Sequence, residues 1–308
     1  GAHHQQVLRQ MQQWQEQGRL PHGLLISGRQ GIGKRHFAQY VAQGLLCEKH
    51  RPDLHPCRQC KACDWFGGGT HPDYHTLQPA PDKKQIGVED VRQFIDKLML
   101  TASGMKRVGV VLQADKLTNS AANALLKTLE EPPDNVHLLL ISDAIAQVLP
   151  TLRSRCQKLF VPAPIQADAA AWLAQEHAEI PTSLRQPLLS SAKYGPLRAV
   201  EYYTLGYADL FAHWSEALPA LRLGKLSPIQ FAGEFAGKTG APTDVFIGWL
   251  SDYLNACLLK LLLPPVLSAQ DEWLYKLNRN ALCAWMPEVQ GVIPSLRGQA
   301  NAQMWMEQ

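Results

Sequence analysis

The segment 24-LLISGRQGIGKRHFAQ-39 places a short apolar run directly before a glycine-rich turn. After the turn, apolar residues recur at helical spacing, at Phe37, Ala38, Val41, Ala42 and Leu45. The apolar run predicts a buried strand, and the spacing predicts a helix. A glycine-rich turn between a strand and a helix is the setting in which backbone N–H groups bind phosphate. The segment therefore predicts an α/β fold with a phosphate-binding loop.

The loop departs from an intact phosphate loop at its last position. Gly28, Gly33 and Lys34 are present and form the candidate nucleotide site, but Arg35 stands where a Ser or Thr hydroxyl would hold Mg²⁺. A guanidinium group has only donors and stays charged, so Arg35 cannot be a metal ligand. The loop is thus degenerate, and the sequence leaves open whether ATP or ADP still binds there.

The strand that should supply an acidic metal ligand is also altered. In 110-VVLQADKL-117 the positions after the apolar run are Leu112 and Gln113, and the first acid is Asp115. Mg²⁺ in phosphate-loop enzymes is held by an Asp at such a strand end. We therefore expect no Mg²⁺ site and no ATP hydrolysis. The alternative is an active ATPase that tolerates Arg35 and uses Asp115 for the metal.

Strand and helix patterns alternate through the first half of the chain. Helices are predicted at 88-VEDVRQFIDKLML-100 and 120-SAANALLKTLEE-131, and strands at 108-VGVVL-112 and 136-VHLLLIS-142. Strands that alternate with helices indicate a parallel sheet with helices on both faces.

The composition changes near 162-PAP-164, and no strand is predicted beyond it. We predict three domains: an α/β domain over 1–163, a small helical lid over 164–207 and an all-α C-terminal domain over 208–308. The final residues 301–308 read as the start of a helix, so we expect the natural chain to continue.

Four cysteines cluster in an insert at about 47–70, namely Cys47, Cys57, Cys60 and Cys63. Two-residue spacing lets neighbouring thiolates reach one tetrahedral ion, and four thiolates leave no open position. The pattern predicts a structural Zn²⁺ site. Free cysteines at chance spacing, or His50, His55 or His71 in place of one cysteine, are the alternatives. Arg58 and Lys61 leave open a zinc-dependent nucleic-acid-binding module.

Bulk properties exclude several classes of protein. The 308 residues are 46% hydrophobic and 19% charged, which is typical of a globular chain of two or three domains. The net charge of +3 does not by itself indicate nucleic-acid binding. The longest apolar run, 258-LLKLLL-263, is far shorter than the ~20 residues of a membrane span, and no signal peptide is visible. We expect a cytoplasmic protein with reduced cysteines.

Two longer motifs, 123-NALLKTLEEPP-133 and 152-LRSRC-156, resemble the bacterial clamp-loader family. The resemblance covers nearly the whole chain, although residue-level matches are weak in the helical tail. It implies an AAA+ phosphate-loop module, a helical lid and an oligomerising collar. In such a heteropentamer the partners would be the ATPase subunits (gamma or tau) and the delta subunit. The sliding clamp and primer-template DNA would be the targets of the assembly.

The resemblance also assigns roles to residues. The Ser-Arg-Cys motif implies that Arg155 acts in trans on the ATP of a neighbouring subunit, with Ser154 and Cys156 supporting the backbone. Arg153 is the rival arginine, and a helix cap or a local ion pair is the alternative role of Arg155. Arg198 matches the lid arginine that touches bound nucleotide, although a surface arginine would look the same. With Leu112 and Gln113 at the strand end, the chain resembles the subunit that acts as a rigid, non-hydrolysing stator while the clamp opens.

Overall fold

A computed structural model describes residues 2–49, 51, 53–99, 106–222, 225, 227, 245 and 249–250. Within these residues the strands are β1 (Gly23–Ser27), β2 (Tyr74–Leu77), β3 (Arg107–Val111), β4 (Val136–Ser142) and β5 (Gln157–Phe160). The helices are α1 (Ala2–Glu16), α2 (Lys34–Leu46), α3 (Lys61–Gly67), α4 (Val88–Met99), α5 (Asn119–Glu130), α6 (Pro150–Arg155), α7 (Gln166–Glu176), α8 (Thr182–Ser191), α9 (Pro196–Thr204) and α10 (Tyr207–Arg222).

The five strands form one sheet in the order β2-β3-β4-β1-β5, and every neighbouring pair is parallel. β1 lies between β4 and β5, with Leu25 opposite Leu140 on one side and Lys158 on the other. The loop after β1 therefore starts from the interior of the sheet. The prediction of a parallel sheet is confirmed.

Helices cover both faces of the sheet because alternate strand residues point to opposite sides. On β1, Leu24 and Ile26 pack in a core with α1 and α2, whereas Leu25 packs in a second core with α4, α5 and α6. β4 divides its side chains in the same way. A strand buried on both faces reads as a continuous apolar run, which is why β1, β3 and β4 were predicted.

Five elements of this sheet domain were not predicted from the sequence, namely the strands β2 and β5 and the helices α1, α3 and α6. β2 and β5 are the two edge strands, and their sequences, YHTL and QKLF, mix polar and apolar residues because one side is partly exposed. The helix α1 was not predicted because its glutamine-rich sequence contains few apolar residues. Its Val7 and Met11 are nevertheless buried in the first core.

The chain divides into two compact units: residues 1–172 with 194–198, and residues 173–193 with 199–308. The described part of the second unit is helical, as predicted. Its core holds an aromatic cluster in which Trp214 is fully buried, 5.5 Å from the ring of Phe211 and 5.2 Å from that of Trp249. Most of the predicted collar, including 301–308, lies outside the described residues. The division into a lid over 164–207 and a collar over 208–308 stays a prediction.

Among the described residues, no helix combines the length and the apolar character that crossing a membrane requires.

Candidate functional site

The loop between β1 and α2 needs glycine for two different reasons. Gly33 has φ 89°, in the left-handed region, and directly precedes the first helical residue, Lys34. Gly28 lies so close to the chain leaving β5 that a Cβ atom there would be 2.4 Å from the carbonyl oxygen of Val161. These glycines hold the loop in a tight turn at the carboxyl end of the sheet, where ligands of open α/β sheets bind.

Lys34 is buried, and its ammonium group is bound within the chain. Its side chain is 3% exposed and forms an ion pair with Asp143. The Nζ atom also donates to the carbonyl oxygens of Gly28, at 2.8 Å, and Arg29, at 2.6 Å. A lysine ammonium has three donors. Three acceptors of this chain are therefore within reach of the lysine that a phosphate loop presents to phosphate.

Asp143 was missed by the sequence analysis. It directly follows the last residue of β4, and the carboxyl ends of parallel strands meet at one edge of a sheet. That position was the available signal. Asp115 contacts the same residue, since its Oδ1 accepts the backbone N–H of Asp143 at 3.1 Å.

The end of β3 offers no acid to the loop, in keeping with its sequence. Leu112 packs against the first core, Gln113 is exposed, and Asp115 is reached only through a short 3-10 helix, Ala114–Lys116. Arg35 points outward and is exposed. The residues that would hold Mg²⁺ in an intact site are thus replaced on both sides of the loop.

Two other segments contact the loop from within the same unit. Arg198 donates from Nη1 to Oε1 of Gln30 at 2.5 Å, and the N–H of Leu197 donates to the carbonyl oxygen of Gly31 at 3.0 Å. The ring of His4 lies 3.1 Å from the carbonyl oxygen of Ile32. Arg198 is therefore adjacent to the candidate nucleotide site, and its contact with nucleotide stays a prediction.

The Ser-Arg-Cys motif spans the end of α6. Arg155 is exposed and forms an ion pair with Glu130, whose Oε1 lies 2.5 Å from both Nε and Nη2 of the arginine. Arg155 also donates from Nη1 to the carbonyl oxygen of Thr151 at 3.2 Å. The local ion pair that the sequence left open is present, while the role in trans stays a prediction. Arg153 is less exposed than Arg155.

The two flanking residues of the motif fasten the helix end. The hydroxyl of Ser154 donates to the carbonyl oxygen of Thr151 at 2.9 Å. Cys156 is buried in the second core, and burial raises the pKa of its thiol to about 11. A protonated, buried thiol is a poor nucleophile, so Cys156 packs and does not react.

The four cysteines of the insert lie together. Their sulfur atoms are all within 4.8 Å of one another, with Cys47 to Cys60 at 4.0 Å and Cys57 to Cys63 at 3.9 Å. Tetrahedral Zn–S bonds of ~2.3 Å require sulfur atoms about 3.8 Å apart. The cluster is therefore positioned to bind one metal ion, and its four thiolates fit a closed structural zinc site.

Histidine ligands are not needed to complete this cluster. The ring of His55 contacts the hydroxyl of Tyr40, and Nδ1 of His71 accepts the N–H of Asp73 at 3.1 Å. His50 lies outside the described residues.

Local electrostatics make the thiols unequal. Burial raises the pKa of Cys63 to about 12, whereas the backbone N–H of Gln59 is the main cause that lowers the pKa of Cys57 to about 6. A metal binds the thiolate forms, so binding would release protons and weaken in acid.

The insert is fastened to the sheet domain through α2. Leu54 is 2% exposed, has φ 55° and packs in the first core. Its backbone approaches Gly44 so closely that a Cβ atom on Gly44 would lie 2.0 Å from the Leu54 carbonyl oxygen. The segment between Cys47 and Cys57 thus depends on a glycine in the last turn of α2.

The parallel sheet, the glycine loop and the lysine at the start of α2 define a phosphate-loop α/β protein.

Comparisons with known proteins give a narrower assignment. A family model described as "DNA polymerase III, delta subunit" matches residues 3–164. Among curated relatives, "DNA polymerase III subunit delta'" of Pseudomonas aeruginosa is 34% identical over 75% of this chain and 70% of its own length. The protein of the same name from Escherichia coli is 40% identical over 52% of this chain and 48% of its own length. The chain belongs to the delta-prime family of DNA polymerase III subunits.

A comparison with solved structures matches a gamma subunit-related protein of DNA polymerase III and a RuvB Holliday junction branch migration motor, both from Thermotoga maritima. The first is 18% identical, with a TM-score of 0.43 over 98% of this chain and 97% of its own. The second is 12% identical, with a TM-score of 0.42 over 93% of this chain and 81% of its own.

Proposed function

We propose that this chain is a non-hydrolysing stator subunit of a bacterial sliding-clamp loader and supplies Arg155 to the ATP site of a neighbouring subunit. One combination of features carries the proposal: an exposed arginine at the end of α6, in a chain whose own loop lacks metal ligands. An arginine supplied in trans stabilises the charge that develops on a transferred phosphoryl group. A subunit without its own hydrolysis can therefore control the hydrolysis of another.

The contacts of the loop argue against the rival ATPase. Lys34 is engaged by Asp143, and the carboxylate of Asp115 accepts a backbone N–H at the end of β4. Arg35 replaces the Ser or Thr whose hydroxyl would hold the metal. Purified chain should therefore show no steady-state ATP hydrolysis above that of a Lys34→Ala control. Turnover that disappears in the control would establish the ATPase instead.

The ion pair with Glu130 does not prevent Arg155 from acting in trans. The side chains are 36% and 48% exposed. Exposed ion pairs contribute about 0–1 kcal/mol, and a phosphate can accept from a guanidinium group in the same bidentate geometry as a carboxylate. The phosphate of a neighbouring ATP can thus replace Glu130 at small cost.

The decisive experiment is reconstitution with gamma or tau ATPase subunits, a delta subunit, the sliding clamp and primed DNA. Arg155→Ala should leave assembly intact and lower DNA-stimulated ATPase and clamp loading. The loss is limited to the site that faces this subunit, so total turnover falls by a fraction and not by the 10³–10⁵ of single-site GTPases. Arg153→Ala is the matched control and should leave turnover close to that of the unmodified complex. Equal turnover with Arg155→Ala and the unmodified subunit would remove the assigned role.

We also propose that the metal of the cysteine cluster is Zn²⁺, because four thiolates with no open position are typical of structural zinc. Metal analysis of reduced protein should give about one zinc per chain. Cys60→Ser should lose it, while Cys156→Ser, outside the cluster, should keep it. Zinc-free protein that folds and assembles normally would contradict the structural role.

The remaining assignments follow from the same proposal. The AAA+ module would be followed by a helical lid and a collar that joins the heteropentamer in the cytoplasm, and Arg198 would face any nucleotide held by the loop. A zinc-dependent nucleic-acid-binding role would instead require DNA affinity to disappear when zinc is stripped while assembly persists.

A further inference from the structure

The loop between β1 and α2 already holds an anionic side chain next to its lysine. The carboxylate of Asp143 pairs with Lys34, whose other donors are taken by the carbonyl oxygens of Gly28 and Arg29. The lysine is nearly inaccessible to solvent, whereas the aspartate is 37% exposed. A buried ammonium needs a fixed counter-charge, because leaving it uncompensated is strongly unfavourable.

Asp143 is held in this position from the opposite side. Its backbone N–H donates to Asp115, which stands on the short 3-10 helix after β3. A continuous set of contacts thus runs from the end of β3, through the end of β4, to the start of α2. The residue that a working enzyme could use for metal serves here to orient the aspartate.

We propose that Asp143 occupies the loop as an internal counter-anion and is the residue that excludes phosphate groups from it. A phosphate can reach the ammonium only by displacing this carboxylate. The loss of metal ligands and the exclusion of phosphate are then separate properties of the chain. Asp143 would exclude phosphate from the loop whether or not Arg155 acts on a neighbour.

The test is equilibrium binding of inorganic pyrophosphate and of ADP to the full chain, without divalent metal. Asp143→Asn keeps the size of the side chain and removes its charge. It should bind pyrophosphate at least about tenfold more tightly than the unmodified chain, because a charged competitor for the lysine has been removed. If the affinity for ADP rises as well, the loop also accepts the nucleoside. If only the affinity for pyrophosphate rises, the loop accepts the phosphates alone. Either result supports the proposal.

Two controls isolate the loop. Asp134→Asn makes the same change in net charge at an exposed position between α5 and β4 and should leave affinity unchanged. Adding Lys34→Met to Asp143→Asn should abolish the gain.

Two binding results would overturn the proposal. The first is an Asp143→Asn chain that binds pyrophosphate no more tightly than the Asp134→Asn control. The second is a gain that survives Lys34→Met. If Asp143→Asn folds poorly, the readout is thermal unfolding, because an anion that binds the folded loop raises its stability. The proposal is supported if pyrophosphate raises the Tm of Asp143→Asn more than it raises the Tm of the unmodified chain. An equal or smaller rise refutes it.

Discussion

Replacing Gly44 by alanine tests the attachment of the cysteine insert to α2. On helix propensity alone the change should stabilise the protein by about 1 kcal/mol, since alanine is the better helix former. The new Cβ atom, however, would lie 2.0 Å from the carbonyl oxygen of Leu54 and 2.8 Å from its carbonyl carbon. Both are backbone atoms of a buried residue, so no side-chain rotation can relieve the contact.

The steric clash makes the net effect of Gly44→Ala on stability unfavourable. Overpacking of a well-packed core costs about 1–3 kcal/mol, and a backbone obstacle places this case at the upper end. After the propensity gain is subtracted, we expect a net loss of about 2 kcal/mol in the free energy of unfolding. For a unit of this size, that corresponds to a decrease in Tm of roughly 4–8 °C. The zinc proposed for the cysteine cluster should also leave the protein faster, because Leu54 lies between Cys47 and Cys57.

The assay is thermal and urea unfolding of the full chain, together with zinc release to a colorimetric chelator. Gly67→Ala is the matched control, because a Cβ atom on Gly67, at the end of α3, would have no neighbour within 4 Å. It should be neutral or stabilised by up to about 1 kcal/mol. If Gly44→Ala behaved like this control, the close approach of Leu54 would be wrong.

Three further predictions concern other parts of the sheet domain. Burial and the nearby charge of Lys106 lower the pKa of His137 from 6.5 to about 4. The contribution of the neutral His137 ring to the free energy of unfolding is therefore complete above pH 6.5 and is lost as the pH falls toward 4, a loss of at most about 3 kcal/mol. His137→Gln should flatten this pH dependence in urea unfolding. Thr118 caps α5 by accepting the N–H of Ala121 at 3.2 Å; Thr118→Ala should cost about 1 kcal/mol in chemical denaturation, whereas Thr118→Ser should cost little. Incubation with a chelator should remove the proposed zinc more readily at pH 5 than at pH 8 and should lower Tm; an unchanged Tm after complete removal would show that the metal does not stabilise the fold.

The sequence predicted the parts of the fold in which one physical signal dominates. β1, β3 and β4 are buried on both faces, so each consists mostly of apolar residues. The edge strands β2 and β5 are stabilised by pairing with β3 and β1, and pairing between distant segments leaves little local pattern. The helix α1 likewise depends on contacts with distant segments, because its Val7 and Met11 are buried against the sheet.

The candidate sites divide in a similar way. The cysteine cluster was predictable because its spacing is itself the geometric constraint. Asp143 was not, because its partner Lys34 is more than a hundred residues away in the chain and only the sheet brings them together. The ion pair between Glu130 and Arg155 is also long-range, although both residues lie within the two motifs that the sequence analysis singled out.

The position of the cysteine insert also determines how the protein should open. The insert lies in the connection from α2 to β2, and among the described strands β2 pairs only with β3, at the edge of the sheet. The other four strands keep all of their mutual pairing if that edge detaches. The insert and β2 should therefore form one cooperative unit of local unfolding, with an opening free energy below that of the whole domain. In hydrogen exchange, the amides of β2 should lose protection together with those of α3 when the metal is removed, while those of β1 and β4 stay protected.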